Sequence, residues 1–147
     1  MPISSKKILN SERSKESRFY RAKRGTVLIV EDEQSLRQTL VDKLTREGFD
    51  VLEAKNGEEG LERALKKHPD LILLDIIMPV MDGMTMMKKM REDKWGRKVP
   101  IILLTNLSAT DAEIIKRVIE DEPSYYLLKS DWKIKDVVNK VKETLAL

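Results

Sequence analysis

Polar residues that could bind a metal ion or a phosphoryl group follow four short apolar segments of this chain. They are Glu31, Asp32 and Glu33 after TVLIV, Asp75 at the end of LILLD, Thr105 and Asn106 after IILL, and Lys129 after YYLL. Carboxylates that lie close together repel one another, and a hard divalent cation such as Mg²⁺ relieves that repulsion. With a hydroxyl and an ammonium group beside them, they indicate a site for Mg²⁺ and a phosphoryl group.

The elements that must position these residues alternate between two patterns along the chain. Near-continuous apolar runs, rich in Val, Ile and Leu, are typical of parallel strands buried on both faces. They predict strands over 26–32, 49–54, 70–75, 99–106 and 124–130. The segments between them have helical periodicity and predict helices over 35–48, 58–70, 84–93, 108–122 and 131–145, with His68 and Pro69 ending the second. Five strands alternating with five helices predict an α/β domain with a doubly wound parallel sheet.

In such a sheet the carboxyl ends of the strands meet at one edge, and ligands bind there. The polar residues that follow the strands are therefore expected to converge. Three related chemistries do not fit the sequence. A flavin mononucleotide site on this topology needs a phosphate-binding loop of small and hydroxyl residues after the first strand, but Glu31–Glu33 stand there and would repel phosphate. A P-loop NTPase needs the motif GxxxxGK[ST], which is absent. A haloacid dehalogenase-type phosphatase needs a second Asp two residues after the first, where this chain has Ile77.

The positive charge of the chain is concentrated in its first 25 residues. This segment holds eight basic and two acidic residues, for a net charge of +6, whereas residues 26–147 hold 20 basic and 23 acidic residues, for −3. No specific nucleic-acid site is therefore expected in the main part of the chain. We predict a flexible basic extension over 1–25 and one folded domain over 26–147.

The composition excludes several classes of protein. The chain has no Cys and one His, so disulfides, thiolate metal sites and soft transition-metal sites are not expected. No apolar run approaches the length of a bilayer span, and the N-terminus lacks the apolar core of a signal peptide. We expect a cytoplasmic protein without a membrane span.

Four motifs, VLIVEDE, LILLDIIMPVMDG, LLTN and YYLLKS, occur in the order and spacing of one protein family. Through them, residues 27–145 resemble the receiver domain of two-component response regulators, the CheY-like family. The resemblance implies a flavodoxin-like and CheY-like fold, whose strand order is 2-1-3-4-5. We expect a stand-alone, single-domain regulator, because no effector domain follows the last predicted helix.

The resemblance assigns Asp75 as the residue that accepts a phosphoryl group from a sensor histidine kinase or a phosphotransfer protein. It implies that Mg²⁺ is held by Glu31, Asp32, Asp75 and the backbone carbonyl of Ile77. No dedicated enzyme activity is expected beyond the chain's own phosphorylation and dephosphorylation.

Three further residues receive roles from the same resemblance. Lys129 is expected to pair with the bound phosphoryl group, and Thr105 to donate a hydrogen bond to it. Tyr126 is expected to act with Thr105 as a switch, turning inward when the hydroxyl moves toward the phosphoryl group.

The chain departs from the family pattern at four positions. Ser130 follows Lys129 where the family usually has Pro, so we predict a trans peptide bond there. Asn106 replaces a small residue. Ile77 and Leu107 are apolar where many relatives have side chains that act on the attacking water, and this predicts slow self-dephosphorylation.

The output is expected to be an unidentified downstream protein, a phosphorelay, or a homodimer formed through the last two predicted helices. Two alternatives stay open. A pseudo-receiver would use the same fold as a docking module without phosphorylation, and a tethered receiver would use its basic extension to bind an anionic partner.

A few remaining residues are predicted to be structural. Six Met residues between 78 and 90 are expected to fill the core, because Met adapts to irregular gaps. His68 has no neighbouring ligand pattern, and Trp95 and Trp132 are expected to cover core edges.

Overall fold

The structure, a computed structural model, describes residues 24–105, 125–128 and 133–146. Within these ranges the strands are β1 (Thr26–Val30), β2 (Asp50–Ala54), β3 (Leu71–Asp75), β4 (Ile101–Thr105) and β5 (Tyr125–Leu128). The helices there are α1 (Gln34–Arg46), α2 (Gly57–Lys67), α3 (Gly83–Glu92) and α4 (Ile134–Thr144). The predicted helix over 108–122 and residues 1–23 of the basic extension lie outside the described residues.

The five strands form one sheet in the order β2-β1-β3-β4-β5. Every neighbouring pair of strands is parallel. The predicted fold class and strand order are thus confirmed. Strands β1 and β3 are adjacent near the middle of the sheet, and this adjacency fixes which strand-end residues meet.

Alternate residues of the central strands face two separate cores, which lie on opposite faces of the sheet. In β1, Leu28 and Val30 belong to the core that α2 and α3 cover. The residues between them, Val27 and Ile29, belong to the core that α1 and α4 cover. Because both faces of the strands are buried, near-continuous apolar runs are required, and the sequence supplies them.

Methionine fills much of the core beneath α3, as predicted. Met86, Met87 and Met90 are fully buried, and Met78 is nearly so. Met81 and Met84 pack against the same core. The stretch of Met residues therefore has a packing role.

His68 has a structural contact that its sequence context did not indicate. It ends α2 in the left-handed conformation, with φ 48°. Its ring stacks on Trp95, with the ring centroids 4.4 Å apart and the planes at 6°. Trp95 in turn packs against the core beneath α3, as expected for a residue at a core edge.

Helix α4 begins at Ile134, three residues later than the sequence predicted. The carboxylate of Asp136 accepts a hydrogen bond from the backbone N–H of Lys133 at 2.7 Å, which satisfies one donor at the start of the helix. None of the helices in the described ranges has the length and apolar composition needed to cross a bilayer.

An ion pair joins the C-terminal ends of α1 and α4. The ammonium of Lys142 lies 2.7 Å from one carboxylate oxygen of Glu47, and that of Lys43 lies 3.6 Å from the other. The hydrogen bond from Lys142 is the main cause that holds the pKa of Glu47 below its ordinary value, and burial opposes it. The pair thus links the two helices that cover one face of the sheet.

We expect Glu47→Gln to lower the free energy of unfolding at neutral pH by less than about 1 kcal/mol, which is usual for a partly exposed ion pair. Since the pKa of Glu47 is lower in the folded chain than in the unfolded chain, its carboxylate stabilises the fold above the unfolded-state pKa. This stabilisation is lost as the pH falls through the lowered pKa of the folded state. Urea unfolding of wild type and variant, from neutral pH down to about pH 3, measures the difference. A difference that stays constant over this range would contradict the assignment.

Candidate functional site

Three carboxylates at the ends of two neighbouring strands meet at the carboxyl edge of the sheet. Val30 of β1 pairs with Leu74 of β3, so the next residues along each strand, Glu31 and Asp75, lie side by side. Asp32 follows in the β1–α1 connection. One carboxylate oxygen from each of the three residues lies within 4.8 Å of the others. Four metal ligands are predicted from the sequence. The structure brings together three of them, the carboxylates of residues 31, 32 and 75.

Two of these three side chains are buried. Glu31 is 1% exposed and Asp75 is 5% exposed, whereas Asp32 is exposed. Burial raises the electrostatic repulsion between neighbouring carboxylates, because it removes the water that would screen them. The donor set consists of hard oxygen atoms that favour a hard divalent cation, so the residues present fit Mg²⁺.

Glu33, which the sequence analysis grouped with these acidic residues, is not part of the cluster. It precedes the first turn of α1, and its carboxylate accepts a hydrogen bond from the hydroxyl of Ser35 at 3.1 Å. Its backbone N–H donates to the carboxylate of Glu31 at 3.4 Å. Glu33 therefore contributes a backbone donor to the site, and its carboxylate is not one of the three that lie close together.

Glu31 is also held through its backbone. Its N–H donates to the carbonyl of Ala54 at 3.0 Å, and its carbonyl accepts a hydrogen bond from Nη1 of Arg37 at 2.8 Å. Nε of Arg37 donates to the carboxylate of Glu53 at 3.1 Å. Arg37 is not among the site residues predicted from the sequence, since no motif distinguishes it from the other basic residues of the chain.

The connection from β3 to α3 is held close to the acidic cluster by Gly83. A Cβ at this position would lie 2.1 Å from the carbonyl oxygen of Asp75, a distance that no side chain tolerates. The N–H of Gly83 donates to the carbonyl of Ile76 at 2.8 Å, and the carboxylate of Asp82 caps α3 by accepting from Thr85 at 2.8 Å. The Asp-Gly pair of the sequence thus both starts the helix and lets it approach Asp75.

The same connection contains a strained turn. The N–H of Met81 donates to the carbonyl of Pro79 at 2.7 Å, and Val80 between them has φ 68°. This is a γ-turn of the rarer, positive-φ kind. The side chains of Ile77 and Val80 are 63% and 75% exposed. The loop beside Asp75 therefore places two apolar side chains in solvent.

The predicted residues on β4 and β5 are placed only by their backbone. Thr105 ends β4 and pairs with Leu128, which puts it at the same edge of the sheet as Asp75. Tyr126 lies in β5 and pairs with Leu103. The remaining predicted positions lie outside the described residues; they are Asn106, Leu107, Lys129, Ser130 and Trp132.

We expect Val80→Asn to raise the free energy of unfolding by roughly 0.5–1.5 kcal/mol, because a β-branched residue is strained at positive φ and Asn tolerates it. Chemical denaturation measures the change. Ile77→Asn is the matched control, since it makes the same kind of exchange at a neighbouring exposed residue without positive φ. Equal effects of the two substitutions would show that relief of strain at Val80 is not the cause.

Comparison with known proteins places the chain in one family. The model of the response regulator receiver domain matches residues 27–142. The chain is 35% identical over 118 residues to a protein-glutamate methylesterase/protein-glutamine glutaminase of Archaeoglobus fulgidus, covering 80% of this chain and 33% of that protein. It is 41% identical over 90 residues to the alkaline phosphatase synthesis transcriptional regulatory protein PhoP of Bacillus subtilis, covering 61% and 35%. The chain thus spans about a third of the length of these curated relatives.

Solved structures show the same fold. The signal receiver domain of a signal transduction histidine kinase from Syntrophus aciditrophicus superposes with a TM-score of 0.75 at 31% identity. The superposition covers 83% of this chain and 90% of that domain. Sequence and structure comparisons therefore agree on the receiver fold, and the residues matched by the family model, 27–142, include the acidic cluster.

Proposed function

This chain belongs to the response regulator receiver family, and on that premise we propose that Asp75 accepts a phosphoryl group from a sensor histidine kinase or a phosphotransfer protein. The observation that carries the proposal is the meeting of Glu31, Asp32 and Asp75 at one edge of the sheet. Neighbouring carboxylates repel one another, and a bound divalent cation relieves that repulsion. Phosphoryl transfer to a carboxylate with the help of a divalent cation needs this arrangement of side chains.

We propose Mg²⁺ as that cation. Glu31, Asp32, Asp75 and the backbone carbonyl of Ile77 would hold it, and all of these ligands are oxygen atoms. The single His of the chain precedes β3 at the opposite edge of the sheet, so it does not contribute a softer ligand. When bound, the metal supplies positive charge that screens the approach of an anionic phosphoryl group to a carboxylate.

In the proposed step, a carboxylate oxygen of Asp75 attacks the phosphorus of a phosphohistidine. The new O–P bond makes an acyl phosphate, and the P–N bond breaks with its electron pair on the imidazole, which takes up a proton. Positioning and electrostatic stabilisation supply most of the rate enhancement in phosphoryl transfer. Lys129 and Thr105 are proposed to bind the transferred group, as the family resemblance implies.

We propose that the signal leaves through protein–protein contact after Thr105 and Tyr126 change position together. Their strands are neighbours, with Leu103 opposite Tyr126 and Thr105 opposite Leu128. A coupled movement of adjacent strands would alter the surface formed by β5 and the segments on either side. Several further points stay predictions. They are signalling to an unidentified downstream protein, a homodimer, a stand-alone mode of action, the domain division between residues 25 and 26, and a cytoplasmic location.

The acidic cluster also bears on the pseudo-receiver alternative. A module that only docks does not need three carboxylates held together against their repulsion, two of them buried. Phosphorylation is therefore the better supported function. The tethering alternative depends on residues 1–25, of which all but the last two lie outside the described residues.

We expect the full chain to gain the mass of one phosphoryl group when it is incubated with acetyl phosphate and Mg²⁺, and Asp75→Asn to abolish the gain because it removes the attacking carboxylate. Intact-protein mass spectrometry measures both. Asp42→Asn, which changes an exposed carboxylate on α1, is the control and should be modified as the wild type is. A wild-type chain that stays unmodified would overturn the proposal in favour of the docking module.

We expect the phosphorylated chain to lose its phosphoryl group slowly, because Ile77 and Leu107 have no polar group to orient an attacking water. Polar substitutions at both positions, such as Ile77→Asn with Leu107→Gln, should speed the loss. The decay of the phosphorylated mass after removal of the donor measures the rate. A wild-type half-life of seconds would contradict this prediction, as would a double variant that decays no faster.

A further inference from the structure

We propose that Arg37 is a positioning residue for the metal site, through the peptide that links Glu31 to Asp32. The inference rests on the proposed function, since it assigns Arg37 a role in the binding of Mg²⁺. The contact that carries it is the hydrogen bond from Nη1 of Arg37 to the carbonyl of Glu31, at 2.8 Å. No family motif quoted above includes Arg37.

The carbonyl of Glu31 matters because it belongs to the same rigid peptide plane as the nitrogen of Asp32. The preceding N–H of Glu31 is fixed by Ala54 at 3.0 Å. With the following carbonyl fixed by Arg37, the backbone between the last residue of β1 and Asp32 has little freedom to rotate. Arg37 thereby sets the direction in which Asp32 leaves the strand.

Asp32 depends on this backbone support more than the other two carboxylates do. Glu31 and Asp75 are buried within the sheet edge, whereas Asp32 is exposed and accepts no hydrogen bond from any of the described residues. Repulsion from Glu31 and Asp75 favours any movement that carries Asp32 away from them. A fixed peptide plane opposes that movement and keeps the third ligand in place before a metal arrives.

Arg37 acts here through geometry, because its charge is largely balanced. Its Nε donates to the carboxylate of Glu53 at 3.1 Å, so the two side chains form a neutral pair beside the cluster. The side chain of Arg37 is 15% exposed. It extends from α1 to Glu53 on β2 and to the carbonyl of Glu31, just after β1. A planar fork can make both bonds at once, whereas the ammonium of Lys is a point charge without that geometry.

The test measures the affinity of the full chain for Mg²⁺ by isothermal titration calorimetry, together with urea unfolding in the absence of the metal. The decisive variant is Arg37→Met with Glu53→Gln, which removes the pair without changing the net charge. We expect its affinity for Mg²⁺ to fall about 10-fold or more, the usual effect of removing a residue that orients a metal ligand. Arg37→Lys, which keeps the charge but loses the fork, should also bind the metal more weakly than the wild type.

Two further variants separate positioning from stability. Glu53→Gln alone keeps the bond from Arg37 to Glu31 and should change the affinity for Mg²⁺ much less than the double variant. The matched control is Arg63→Met with Glu59→Gln, which removes an ion pair of the same chemistry from α2, where Nε and Oε1 lie 3.7 Å apart. It should leave the affinity for Mg²⁺ unchanged.

Wild-type affinity in the Arg37→Met, Glu53→Gln variant would overturn the inference, even if that variant is less stable. If the double variant does not fold, Arg37→Lys decides in its place, and wild-type affinity there would have the same meaning. A wild-type chain that does not bind Mg²⁺ at all would instead overturn the proposed function, and with it the role of Arg37. The two failures are therefore distinguishable.

Discussion

The repulsion between Glu31 and Asp75 is the constraint on which the functional edge of this molecule depends. The two carboxylates are nearly inaccessible to solvent and stand at adjacent positions on paired strands. Neighbouring carboxylates repel one another, and the strands that carry these two are fixed in register by a large apolar core on each face. The stability of the sheet thus holds these carboxylates where the proposed cation and phosphoryl group would be bound.

The connections around the cluster are adapted to that constraint in different ways. Gly83 brings the start of α3 against the carbonyl of Asp75, and Val80 adopts a strained backbone conformation between them. Arg37 and Ala54 hold the backbone of Glu31 from the other side. Val80 is therefore a strained backbone position beside the acidic site, as is common where function requires a fixed geometry.

Most of the fold could be predicted correctly from the sequence because the two patterns that indicate it, apolar runs and helical spacing, are local. Buried parallel strands require runs such as LILLD, and the covering helices require apolar residues at helical spacing. Element ends were less exact: α4 begins later than predicted because Asp136 provides a cap that the apolar pattern does not reveal. The sequence also grouped Glu33 with the site, since distance along the chain does not show that its side chain turns toward Ser35.

The sequence by itself determined that carboxylates stand at the carboxyl ends of the first and third strands, because the change from apolar to acidic residues can be read directly from the chain. Only the tertiary structure decided which of them meet, because that depends on the register of β1 against β3, which no single segment contains. The same holds for Arg37, whose partners Glu31 and Glu53 lie 6 and 16 residues away and come into reach only when α1 packs on the sheet. Residue types specified the chemistry of the site, and packing between distant segments specified its geometry.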